Sequence, residues 1–262
     1  MRKRMFLLSF VAMCVLAVGL APVFAAQFKD VKKDHWAYDL IQWGVNQKLI
    51  KGYPDGKFRP SANVTEQQFL AMLVRAYQGQ IADETNDARW ADPYYNFAKQ
   101  MNYPTKGADD LKKRKYYITR EHVAEILSAT QGVNYSGKYA IHYLLANGLA
   151  TGKDPNNPTI ENFGGEEPLT RAQAVAFIKR VLEKGIKDEN GNPILMPRPK
   201  EPSDPNDLPP LPEPKEEKEA NKNPVSPDDP MFAVDPTPEE SVDIEWGKTV
   251  DCSGEKCVEV DE

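Results

Sequence analysis

Cysteine and histidine are scarce in this chain, three of each among 262 residues. Cys14 lies inside an apolar run, and Cys252 and Cys257 are separated only by Ser-Gly-Glu-Lys, far in sequence from His35, His122 and His142. A structural zinc site needs four thiolate or imidazole ligands, so no metal site is expected. The histidines accompany no nucleophile at a catalytic spacing, and the carboxylate pairs Asp109-Asp110 and Glu166-Glu167 read as solvated loops. No catalytic set and no cofactor are therefore expected, and the chain reads as a non-enzyme. Long hydrophobic runs are also missing after the first 25 residues. The run from Met5 to Leu20 follows Arg2, Lys3 and Arg4 and ends at Val23-Phe24-Ala25, a secretory signal peptide over residues 1–25. It is shorter than the ~20 residues of a spanning helix, so no membrane span is expected after cleavage. An excess of positive charge is lacking too. The net charge is −6, more negative once the three signal cations are removed, which disfavours nucleic acid as a partner of an exported protein.

What is present is unevenly distributed. Residues 187–262 hold 14 of the 22 prolines and 21 of the 39 acidic residues against 8 lysines and arginines, a net charge of −13. Such a segment cannot bury enough apolar surface to fold compactly, and residues 187–241 are expected to be a disordered Pro/Glu-rich linker. Residues 242–262 alternate apolar and polar residues around a turn, which suits a short hairpin, pinned by a Cys252–Cys257 disulfide or ordered on a protein partner. The preceding 26–186 carry a net charge of +4 and nearly all the aliphatic and aromatic residues of the mature chain.

That region repeats itself. The pairs Val64-Thr65, Ile118-Thr119 and Leu169-Thr170 are spaced by 54 and 51 residues, and Trp36-Ala37 and Trp90-Ala91 each stand 29 residues before a repeated threonine. Phe58 and Phe163 each precede theirs by seven. Three units follow, 26–80, 81–132 and 133–186, each reading as helix, loop, helix. Thr65 with Gln68 and Thr170 with Gln173 are capping boxes, in which the hydroxyl accepts a free helix N–H and the amide side chain returns the bond. His122 takes the equivalent place in the second unit. One such unit cannot close a core alone. Three similar apolar faces predict one all-α domain packed about an approximate threefold axis.

The first unit, from Phe28-Lys29-Asp30-Val31 through Trp36-Ala37 and Gly52-Tyr53-Pro54-Asp55-Gly56-Lys57-Phe58-Arg59-Pro60 to Val64-Thr65, resembles the S-layer homology motif almost from end to end. Ile118-Thr119-Arg120-Glu121 and Leu169-Thr170-Arg171-Ala172-Gln173 extend the resemblance to two further copies. It implies a secreted protein held non-covalently on the bacterial cell wall or S-layer, with an anionic, pyruvylated secondary wall polysaccharide as ligand. Grooves between neighbouring motifs are then the glycan-binding sites, with Arg120 and Arg171 as contributors. Thr119 and Thr170 beside them are further glycan-binding candidates, and Trp36, Trp90 and Tyr53 are candidate stacking surfaces for sugar rings. An arginine fork binds a carboxylate through two charge-assisted hydrogen bonds, and a helix N-terminus favours the same anion. The first unit departs from this pattern, placing Glu66 where the others have arginine, so at most two anion sites are expected. The basic run Lys112-Lys113-Arg114-Lys115 reads as a loop that steers an anionic polymer. The competing reading is a surface-assembly factor whose repeat domain has lost glycan binding and whose tail recruits a surface protein.

Overall fold

The computed structural model describes residues 28–79, 81 and 89–215, and the backbone of two short strands further on. The signal peptide, Cys252, Cys257 and their proposed disulfide lie outside the described residues. The helices are α1 (Tyr38–Asn46), α2 (Glu66–Gln78), α3 (Asp92–Gln100), α4 (Arg120–Ala129), α5 (Gly137–Ala146), the single-turn α6 (Ile160–Phe163) and α7 (Arg171–Lys184). The expected helix, loop, helix order is present: α1 and α2, α3 and α4, α5 and α7, with α6 set into the longest loop.

The principal packing partners lie across unit boundaries. α3 packs on α2, α5 on α4, and α1 on α7, so each unit's first helix rests on the second helix of the unit before it, and the first unit rests on the last. Ile41 of α1, Phe69 and Leu73 of α2, Ile126 and Leu127 of α4, Leu144 of α5 and Ile178 of α7 are fully buried in one shared core. A second cluster forms around Trp90, Tyr94 and Tyr95 of the second unit, packed against Leu70 and Val74.

At the centre, the three repeated apolar-threonine pairs meet. Ile118 N–H donates to the Val64 carbonyl (3.0 Å), Leu169 N–H to Ile118 (2.9 Å), and Val64 N–H to Leu169 (2.9 Å). A second ring runs beside it: the residue after each threonine donates its N–H to the carbonyl three residues before the next unit's threonine, Glu66 to Tyr116, Arg120 to Glu167 and Arg171 to Ala62. These backbone groups would otherwise be unpaired at buried helix starts. Cyclic exchange satisfies them only when three similar segments are present.

Residues 187–215 differ from the expectation for the linker. They are extended and nearly helix-free, yet they lie on the domain as a strap. After a tight loop in which Asp188 accepts the Asn190 and Asn192 amides, Met196 N–H bonds the Thr130 carbonyl and Arg198 N–H that of Met101. Asn134 donates to the carbonyls of Pro199, Lys200 and Glu201, Tyr135 to that of Asp204, and Lys215 N–H to that of Asn156. Leu208 and Leu211 pack against the main core. Proline suits such a strap because it fixes an extended backbone that needs few internal bonds. Composition alone cannot show that neighbouring carbonyls and amides will receive it. Further along the chain, Val250–Asp251 and Val258–Glu259 form a two-residue antiparallel pair with Val250 opposite Glu259.

Candidate functional site

Each of α2, α4 and α7 begins with a threonine cap. Thr65, Thr119 and Thr170 accept the N–H of Gln68, His122 and Gln173 through their hydroxyls, and Gln68 and Gln173 return the bond to complete capping boxes. The hydroxyls of Thr119 and Thr170 are thus spent on helix starts. The residue after each cap reaches into the loop of the next unit, which makes three equivalent joints.

In the joint between the second and third units, Arg120 is 3% exposed and its Nε donates to the Phe163 carbonyl at 2.7 Å. Its guanidinium lies over the rings of Phe163 and Phe177. Burial lowers its pKa to about 10, with Glu167 acting in the opposite direction. Among the described residues no carboxylate forms a salt bridge with it. In the joint between the third and first units, Arg171 is 1% exposed, donates from Nε to Phe58 O (2.9 Å) and from Nη2 to Lys51 O (3.1 Å), and lies over Tyr53 and Phe58. The two arginines therefore do not stand on the surface as open forks. Both brace loops through the landmark phenylalanines seven residues before a cap, an equivalence that the spacing of Phe58 and Phe163 already carries.

The joint between the first and second units inverts this chemistry. Glu66 is 3% exposed and accepts where the arginines donate: from Gly107 N–H (2.6 Å), Lys106 N–H (2.9 Å) and Tyr95 O–H (2.9 Å). His122 Nε2 lies 2.9 Å from Glu66 Oε2, and its Nδ1 lies 2.9 Å from Glu125 Oε2. The Gly137 N–H at the start of α5 donates to Glu125 Oε1. Burial opposes ionisation of both carboxyls, but the bonds from His122 and the backbone outweigh it and hold both below the usual range. Burial likewise opposes a charge on His122, and the bonds to Glu125 and Glu66 outweigh that and raise its pKa. Arg114, read from the sequence as part of a steering run, is instead buried: its Nε donates to the Gly107 carbonyl (2.8 Å), it pairs with Asp92, and it stacks over Tyr95. The neighbouring Lys112, Lys113 and Lys115 remain exposed. The Gly107 peptide is thus gripped by Glu66 at its N–H and by Arg114 at its carbonyl. Sequence reading missed Arg114, Glu125 and the side-chain role of His122. The available signal was the coincidence of Glu66 and His122 at repeat positions where arginine and glutamine stand elsewhere.

The aromatic candidates separate. Trp36 is 50% exposed and stacked on His35. Trp90, its counterpart at the same offset, is 4% exposed in the second core cluster, so its ring offers no face to a sugar. Tyr53 is half-buried, with the guanidinium groups of Arg59 and Arg171 over its ring.

A family model described as the S-layer homology domain matches residues 27–70, which covers the first loop and cap. The chain carries an S-layer homology domain. Similar proteins include a cellulosome-anchoring protein of Acetivibrio thermocellus, 28% identical over 158 residues, covering 60% of this chain and 26% of that protein. Cell surface glycoprotein 1 of the same organism is 38% identical over 174 residues, 66% of this chain and 6% of that protein. The outer membrane protein SlpA of Thermus thermophilus is 36% identical over 84 residues, 32% of this chain and 9% of that protein. The chain thus corresponds to about a quarter or less of the length of these relatives. The S-layer homology match lies within the first unit.

Proposed function

We propose that this S-layer homology chain is a secreted, non-covalent anchor to the bacterial cell wall, and that it binds a carboxylate-bearing, pyruvylated secondary wall polysaccharide at the joint headed by Arg120. The observation that carries this reading is a buried guanidinium at the start of α4 that has a carbonyl and two rings around it but no salt-bridging carboxylate among the described residues. A buried cation in that state gains more from an incoming anion than an exposed one, because the local dielectric is low and the helix N-terminus adds positive potential. The rings of Phe163 and Phe177 hold the guanidinium plane, leaving a ligand little ordering to impose. Arg171, bonded to the Phe58 and Lys51 carbonyls, heads the equivalent joint between the third and first units. The first joint is charge-balanced from within and supplies no third anion site. Trp36, half exposed, offers a ring on which a sugar can stack.

The acidic tail gives the chain a role beyond attachment, to display or recruit a surface protein through residues 242–262. The reading as an assembly factor that no longer binds glycan draws on the internally neutral first joint. Sedimentation of the mature protein with wall sacculi separates the two. Retention on native sacculi but not on sacculi stripped of secondary polysaccharide, with at least about a tenfold loss for Arg120→Ala, is expected for a charge-assisted contact of ~1.5–3 kcal/mol. Equal pelleting of the two proteins removes Arg120 from the site, and no pelleting of either favours the assembly factor.

A further inference from the structure

Three joints hold the units together, and two of them rest on guanidinium groups that keep their proton throughout the neutral range. The third rests on an imidazole. His122 is buried, and each of its ring nitrogens faces a different carboxylate oxygen at 2.9 Å. An ionised carboxylate only accepts, and a neutral imidazole has one N–H and one lone pair. A neutral ring would therefore press a lone pair against a buried anion at one of its two contacts. Only the imidazolium satisfies both.

The surrounding donors mark both carboxyls as the charged forms. Glu66 receives two backbone amides and a tyrosine hydroxyl besides the imidazole, and Glu125 receives the Gly137 amide. The charged and titratable groups facing the pair come from every side. Glu66 lies on α2, Glu125 on α4 itself and Tyr95 on α3. Lys106 and Arg114 belong to the second loop, and Lys106 opposes the positive charge on His122. Arg198 comes from the strap, where it feels Glu125. The imidazolium and the buried Arg114 balance the two carboxylates, so expelling the proton would leave the cluster with an excess of buried negative charge.

We infer that His122 is a proton-operated brace: the joint between the first and second units is closed while the imidazolium persists and loosens as pH rises, while the two arginine-headed joints stay closed. Losing the proton removes one of the two bonds and weakens the grip of Glu66 on the Lys106–Gly107 peptide. The loosening is confined to the element that Glu66 holds, because Arg120 and Arg171 reach other loops.

Two measurements on the whole mature protein test this. In ¹⁵N–¹H spectra, His122 is expected to show both ring N–H groups at about pH 6 and to titrate above the ordinary 6.5. Hydrogen-exchange protection factors, which correct for intrinsic base catalysis, are expected to fall for the Lys106 and Gly107 amides by up to about tenfold per pH unit above that midpoint. The Arg120 and Arg171 amides, bonded to Glu167 and Ala62, are expected to keep their protection across the same range. His122→Gln, which installs the residue found at the other two caps, should make protection at Lys106 and Gly107 independent of pH. A singly protonated His122 at about pH 6 overturns the inference, as does a parallel fall at all three joints. The imidazole spectrum decides the matter on the parent protein if the variant does not fold.

Discussion

Glu66 shows how one substitution can be absorbed by others around it. A carboxylate replacing a buried guanidinium would be costly if nothing else changed, because an uncompensated buried charge destabilises by several kcal/mol. Here His122 and Arg114 supply the positive charge, two amides supply donors, and Glu125 secures the far side of the imidazole. Glu66→Ala should therefore cost about 3–5 kcal/mol, leaving an imidazolium and two amides without their acceptor, which a shift of the denaturation midpoint would register. Thr170→Ala, which removes only a capping hydroxyl, should cost about 1 kcal/mol. The pH dependence follows from the same residues. His122, raised, stabilises fully below its unfolded value of 6.5, and that contribution is lost as pH rises through its folded value. Glu66 and Glu125, lowered, stabilise above their unfolded value of 4.5, and that contribution is lost as pH falls through their folded values. These three groups together place their greatest contribution between 4.5 and 6.5, extending upward toward the raised His122 value, and denaturant melts across pH should find this maximum flattened in His122→Gln.

Among the elements, α1 carries a burden its position in sequence does not suggest. It closes the ring by packing on α7, with Ile41 fully buried at that contact layer. Ile41→Ala should cost about 2–5 kcal/mol, and the added exchange should appear in α7, more than 120 residues further along the chain. Helix existence and caps were legible beforehand because they depend on local chemistry: an apolar residue, a threonine, and glutamine three residues on. The pairing of helices across units was not legible, since an apolar face does not name its partner. Arg120 and Arg171 were named as candidates from their repeat positions, and Tyr53 from its place in the first loop. Their burial was not, because it depends on loops contributed by the next unit. Trp90 shows the converse, a residue with the right spacing whose core neighbours claim the ring.

For the whole molecule, the threefold arrangement makes the joints alike in backbone and unlike in charge. Two joints are headed by a buried arginine and one holds a balanced cluster, so the proposed anionic polymer would meet an asymmetric partner on a nearly symmetric frame. Charge reversal by Arg120→Glu should abolish wall retention more completely than Arg120→Ala, because it adds repulsion to the lost attraction; the same sedimentation experiment reads the difference.

The strap has a mechanical consequence. A tail pulled away from a wall-held domain transmits load first to the contact between Lys215 and Asn156, then to His142 with Pro209, Tyr135 with Asp204, and Asn134 with Ser203. These bonds lie in series along the segment, so they open one at a time, as a zipper does, before tension reaches α7. Peeling 29 residues would release about 100 Å of chain, a slack that would let the proposed tail-bound partner move while the three joints remain closed.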